Sequence, residues 1–305
     1  MKTVKRIVLL IVLFINIVPA KAPDKEVSSK DSTILTGEYL GQKPPGDSLE
    51  IFARGILPSS NYHTTPVFTP DGKEVYYKMQ GRNTISMMKM ENGVWSATSE
   101  IRLSSKLNDF RDPCISPDGK KIFFLSKRKL SYQKEEKENI WFAERKSDGW
   151  GEPQPLGEEL NSHELHWQVS VASNGNLYFT SRNTGVEDIY CSKFINGKYQ
   201  KPDRLNNMIN LDSLSETTPF IAPDESYLIF SRDKGGMQQL YVCFRSKDGN
   251  WDLPVEIERI NYGLCPQVSP DGKYFFFMSW YKGDCVIFWT SAKIIDVLKQ
   301  KSLND

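Results

Sequence analysis

A turn that recurs along the chain limits the possible folds more than any other feature. Ile115-Ser116-Pro117-Asp118-Gly119-Lys120 leads into Lys121-Ile122-Phe123-Phe124-Leu125-Ser126. Pro117 presets φ for a turn, and Asp118-Gly119 tolerates positive φ. The apolar run after it is too short for a buried helix and suits a strand covered on both faces. The pattern returns at Phe68–Tyr77, Val171–Phe179, Ile221–Phe230 and Val268–Phe277, with turn residues at 71, 118, 174, 224 and 271. The steps are 47, 56, 50 and 47 residues. A period near fifty built from short strands is the signature of a β-propeller.

Each of the first four copies continues in the same way. A third strand follows (Ile85–Met88, Ile140–Ala143, Ile189–Cys191, Leu240–Cys243), then Asn-Gly or Asp-Gly, then an aromatic residue. A fourth strand ends near 101–103, 155–156, 204–205 and 255–257. Four antiparallel strands make one blade. Trp95, Trp141, Trp150 and Trp251 recur at blade positions, which points to packing between blades. The fifth copy has no such turn after Trp289. Ser291 instead begins a short helix with Ile294, Ile295, Val297 and Leu298 on its apolar side. Its missing fourth strand matches Leu49–Leu57, a strand without a blade. The fold expected is an all-β, five-bladed propeller of four-stranded antiparallel blades, closed by the N-terminal strand and ending in a short helix. Closure pairs edges that would otherwise invite aggregation. The mixed-charge insertion Lys127–Glu138 reads as a solvated loop.

Lys2, Lys5 and Arg6 precede an apolar stretch from Ile7 to Val18, with small residues at Ala20 and Ala22. This is the pattern of a secretory signal peptide, cut after Ala20, and the stretch is shorter than the roughly 20 residues that span a bilayer. An uncleaved anchor is the alternative. The domain organisation expected is signal peptide 1–20, linker and lead-in 21–48, and propeller 49–305, in the periplasm or secreted. Without residues 1–20 the chain carries 36 Lys and Arg against 38 Asp and Glu. That balance argues against nucleic acid as a partner. The five cysteines fall in different repeats without paired spacing and read as buried free thiols. No C-x-x-C or H-x-x-x-H spacing suggests a metal, and no cofactor is expected.

The S-P-D-G-K turn followed by Asn139-Ile140-Trp141 or Asp188-Ile189-Tyr190 resembles the repeat of TolB-like propellers. Leu40-Gly41-Gln42-Lys43-Pro44-Pro45-Gly46 with Ile51-Phe52-Ala53 is similar to the opening of secreted TolB-like proteins, so the resemblance covers about residues 38–300. Copies three and four depart from it, with Ser173-Asn174-Gly175 and Pro223-Asp224-Glu225. The resemblance implies binding of a protein or ligand at a propeller face and no single reaction.

In such a blade the first strand runs toward the S-P-D-G turn, so strand starts and second-strand exits share the opposite face. They gather His63, Arg111, Asp112, Arg128, Glu164, His166, Arg182, Glu216, Arg232 and Trp280 as a candidate binding site. Arg forks suit carboxylate, phosphate or uronic acid. The same Arg and Glu could instead bridge neighbouring blades. The function expected is a non-catalytic, monomeric binding module for an envelope or extracellular protein, a peptide or a glycan. The alternative is a glycoside hydrolase using a carboxylate pair drawn from Asp112, Glu164 and Glu216. No nucleophile elbow, phosphate loop or sialidase Asp box is present.

Overall fold

A computed structural model describes residues 34–57, 64–78, 84–101, 103 and 109–303. Five antiparallel sheets follow the repeat. Blade 1 holds Val67–Phe68, Glu74–Lys78, Ile85–Glu91 and Ser99–Glu100; blade 2 holds Arg111–Ile115, Lys121–Ser126, Asn139–Lys146 and Gln154–Pro155. Blade 3 holds Leu165–Val171, Leu177–Ser181, Asp188–Ser192 and Asp203–Arg204; blade 4 holds Glu216–Ile221, Tyr227–Asp233, Gln238–Phe244 and Val255–Glu256. Blade 5 takes Leu264–Val268, Tyr274–Tyr281 and Asp284–Ser291 from the C-terminal end, and Glu50–Ile51 as its fourth strand. The register Glu50 with Trp289 and Ile51 with Phe288 closes the ring as expected. The helix Lys293–Ser302 follows.

The turn owes its shape to its own side chains. Ser116 Oγ donates to Asp118 (2.6 Å) and accepts the Lys121 amide (2.9 Å); Thr69 with Asp71 and Ser269 with Asp271 repeat this. Such local bonds fix the Asx-type turn without help from distant residues.

The core is divided among the blade junctions. One apolar cluster fills each: Val75, Trp95 and Trp289 between blades 5 and 1, Ile122 and Trp141 between 1 and 2, Phe123 and Phe179 between 2 and 3. Phe230 and Trp251 lie between blades 3 and 4, and Ile229 and Phe277 between 4 and 5. The tryptophans are thus packing residues, as expected. Two junctions add a polar clamp. Between blades 1 and 2, Glu74 accepts from Tyr76 Oη (2.7 Å) and pairs with Arg145 (2.5 Å), whose guanidinium lies 3.9 Å over Trp150. Between blades 3 and 4, Glu225 accepts from Tyr178 Oη (2.7 Å) and pairs with Arg245 (2.9 Å), which lies 4.9 Å over Trp251.

Residues 34–48, at the end of the lead-in, dock on the ring. Trp95 Nε1 donates to the Gly37 carbonyl (2.8 Å), and Tyr39 and Leu40, in left-handed backbone, are buried against blades 5 and 1. The insertion is mostly exposed, but Leu130 is buried and Gln133 and Lys137 bond to the carbonyls of Asn161 and Ser162. All five cysteines are buried and free, as expected.

Candidate functional site

The innermost strands all begin on one face, here the upper, and end at the turns on the lower. In four blades the strand bulges just below its start, and a non-glycine residue takes positive φ: Asp112 (48°), Trp167 (65°), Thr218 (50°) and Cys265 (51°). Left-handed backbone costs a non-glycine residue roughly 1–2 kcal/mol. Side chains near these bulges tie neighbouring blades together. Thr65 Oγ1 donates to the Cys265 carbonyl (2.7 Å), and Thr218 Oγ1 accepts the Cys265 amide (3.2 Å).

Blade 3 departs from the pattern. Its turn is one residue shorter, since Ala172 N bonds Asn176 O where Ser116 N bonds Lys121 O. Its bulge is correspondingly larger, with His166 opposite Thr180 and Val169 opposite Phe179. The extra residue lets Gln168 reach out of the blade. Its Nε2 donates to the carbonyls of Pro219 in blade 4 (3.2 Å) and Pro266 in blade 5 (3.0 Å). Blades 3 and 5 are not neighbours, so this buried side chain crosses the axis and bars the channel.

Below the bar is a 440 Å³ cavity opening on the lower face. Its rim is made of turn residues, Pro70, Pro117, Pro223 and Pro270, and its wall includes Cys114, Ser170, Phe220 and Gln267. Asp271 is the one charged residue in this lining. Burial works against its carboxylate, but hydrogen bonds from Ser269, Lys273 and Tyr39 hold it down at about 2. None of the sequence-derived candidates among the described residues lines this cavity.

Those candidates belong to the upper face and fall into distinct groups. Glu216 and Arg232 form a buried pair, Nε to Oε1 at 2.6 Å, with Arg232 also donating to the Ile209 carbonyl (2.7 Å). Burial pushes Glu216 up to about 7, against the pull of the guanidinium and the Leu211 amide. Arg111 is held by Asp109 (3.0 Å) and Glu138 (3.2 Å), and Arg182 by Glu187 (2.6 Å). Arg128 lies 5.8 Å over Trp141. Glu164 is exposed, and its carbonyl accepts the Arg182 amide (3.3 Å). His166 pairs with Thr180 in the sheet, and His63 lies outside the described residues. His163, the remaining histidine, packs on Tyr190 and accepts from Asn183 (2.7 Å, with Nδ1 the unprotonated nitrogen); burial lowers its pKa.

Two candidates stay available. Trp280 ends the second strand of blade 5, is 49% exposed, and has Tyr262 beside it at 6.3 Å. Asp112 is half-buried in the channel and makes no hydrogen bond to Arg111 or Arg232. Burial, then Glu138, push its carboxyl up to about 6, while Lys78 and Arg111 pull it down. Its folded pKa therefore lies above the ordinary 3.8. The associated stability is complete below that ordinary value and is lost as pH rises through about 6. Asn suits left-handed backbone as well as Asp does. Asp112→Asn is thus expected to raise stability by about 1–3 kcal/mol at pH well above 6 and to change nothing near pH 3. Urea melts of both proteins at the two pH values check this.

Three residues of this face are absent from the candidate set: Trp167, which occupies the bulge position that Asp112 holds in blade 2, Gln168 and Asp109. Trp167 is 48% exposed on the upper face, which is unusual for a bulky residue with left-handed φ. Asp109 accepts from Arg111 and from the Lys127 amide (2.9 Å). The shortened turn Ser173-Asn174-Gly175 was the available signal for the first two. Among the described residues no cluster of His, Cys, Asp and Glu could hold a metal, and no helix is long and apolar enough to cross a membrane.

No family model matches the sequence, and no curated protein does. Solved structures share the fold. A putative TolB from Agrobacterium tumefaciens superposes with TM-score 0.54 at 18% identity, over 76% of this chain and 77% of that one. A chain of a nidogen/laminin complex gives 0.51 at 17%, over 75% and 76%. A thermostable family-43 glycoside hydrolase gives 0.50 at 13%, over 75% and 90%. At these identities the likeness is one of fold: a β-propeller shared by proteins of differing function.

Proposed function

We propose that the chain is an exported, non-catalytic binding propeller that takes a protein, peptide or glycan at the upper mouth of its channel. Trp167 carries the reading. Its left-handed backbone is shared by the bulge residues of blades 2, 4 and 5, and what sets it apart is a large apolar ring left half-exposed at that position. Trp280 presents a second exposed ring on the same face, and tryptophan is enriched among the anchors of binding surfaces. Asp112, with no ion pair among the described residues, adds a polar group in the channel. The S-P-D-G-K repeat and the fold shared with the putative TolB support a TolB-like assignment. The N-terminal pattern supports a signal peptide over residues 1–20 and a periplasmic or secreted location.

A hydrolase reading draws on Asp112, since a carboxyl raised to about 6 suits a general acid. It needs a second carboxylate facing Asp112: Glu216 is committed to Arg232, and Glu164 stands exposed at the entry to blade 3.

Trp167→Gly separates binding from folding, because glycine favours the backbone that Trp167 strains. Its melting temperature is expected to equal or exceed that of the parent. Capture of partners from an envelope extract is expected to fall about thirtyfold, the effect of losing an anchor of about 2 kcal/mol. A variant that melts lower yet captures as well as the parent contradicts the proposal.

A further inference from the structure

The junction between blades 2 and 3 lacks the clamp found at its neighbours. By position in the repeat, Lys121 stands where blade 1 has Glu74, and Phe123 where it has Tyr76. Across the junction, Phe194 and Tyr199 replace Arg145 and Trp150. The Phe194–Ile195 and Lys198–Tyr199 ribbon forms a separate two-stranded sheet. A groove of 330 Å³ remains, lined by Lys121, Phe123, Phe142, Leu160, Phe194 and Tyr199 among others.

Its electrostatics are one-sided. Both clamps pair an arginine with a buried or half-buried carboxylate. Here the Lys121 ammonium lies over Phe142 (5.0 Å) and Phe194 (5.8 Å) and meets no carboxylate within ion-pair distance among the described residues. Its cross-strand neighbour Glu144 is paired with Lys146 instead (3.8 Å). Glu159 and Lys198, both exposed at the rim, offset each other. The Tyr199 hydroxyl, half-buried, has no hydrogen-bond partner among the described residues.

We propose that this groove is a binding site for a small carboxylic acid with an aromatic or branched apolar body. The carboxylate pairs with Lys121 from the side of the junction where Arg145 faces Glu74 in the blade 1–2 clamp, so the two charges are exchanged. The apolar body lies against Phe142, Phe194 and Leu160. The volume is at the lower end of the ~300–1,000 Å³ typical of small-molecule sites. This site is independent of the upper mouth.

Calorimetric titration of the full chain with 3-phenylpropionate and with 3-phenylpropan-1-ol tests it. The acid is expected to bind about tenfold more tightly than the alcohol, as a charge-assisted bond allows. Lys121→Met, which keeps the apolar stem, is expected to abolish that preference. In the unaltered protein, the acid is expected to protect Lys121 from acetylation, read by peptide mass spectrometry. Absence of saturable binding, equal binding of acid and alcohol, a preference that survives Lys121→Met, or unprotected Lys121 would each overturn the proposal.

Discussion

A chain lacking residues 49–57 is expected to lose its cooperative thermal transition, or to melt about 20 °C lower, and to become protease-sensitive. The segment does more than add two residues to a ladder. Phe52 N donates to the Ile287 carbonyl (2.8 Å), and the Phe52 ring packs on Trp289 (4.9 Å) and Phe276 (5.1 Å). Leu57 and Ala53 are buried in the same cluster. Burying one large apolar side chain contributes about 1.5–3 kcal/mol. Losing Phe52 and Leu57 together with the ladder takes a large part of the roughly 5–15 kcal/mol that holds a typical domain. The deletion also bares the edge of Asp284–Ser291, which invites association between chains. Circular dichroism melts and limited proteolysis read both effects. A deletion protein that melts with the parent would show that the ring does not depend on this strand.

Glu216→Ala is expected to cost about 3–5 kcal/mol, more than any surface substitution on the same face. Glu216 is fully buried, and Arg232 nearly so. Removing the carboxylate leaves a guanidinium over Phe230 (5.4 Å) and Tyr241 (4.6 Å) without a counter-charge. It also leaves the Leu211 amide without its acceptor (3.2 Å). The double variant Glu216→Leu with Arg232→Met removes both charges and is expected to recover part of the loss, because an unpaired buried ion costs more than an apolar pair. Chemical denaturation of the three proteins decides the matter. A loss below about 1 kcal/mol for Glu216→Ala would show the pair to be solvated. The pair lies within blade 4, its two residues being cross-strand neighbours, and does not bridge blades.

The fold was legible because its signals are local. Asp118-Gly119 and the apolar run after it specify a turn and a strand without reference to distant residues. Closure was legible because one strand was missing at Trp289 and one was spare at Ile51. The candidate site was less legible. Arg111, Glu216 and Arg232 share the upper face, but their partners Asp109, Glu138 and Ile209 depend on loop paths that no repeat dictates. Trp167 and Gln168 owe their positions to a two-residue offset between His166 and Val169, which follows from strand pairing rather than pattern. The docking of Tyr39 and Leu40 was hidden by the polar composition around them.

A subtler repeat lies in the sequence as well. Leu160-Asn161 and Ile209-Asn210 each precede a new blade. Asn161 accepts from the Ile140 amide (2.8 Å) and donates to the Ile140 and Leu156 carbonyls; Asn210 does the same for Ile189 and Leu205. In blades 2 and 3 the Leu/Ile-Asn pair marks where the fourth strand is tied back to the third.

Amide hydrogen exchange at Phe52 tests the closed ring most directly. If the N-terminal strand completes blade 5, the Phe52 amide exchanges only when the whole protein unfolds, at the rate of Ile229 and Phe275 in the middle strands. Exchange at Phe52 as fast as at the exposed turn Gly46–Ser48, with Ile229 still protected, would show an open ring and contradict the account.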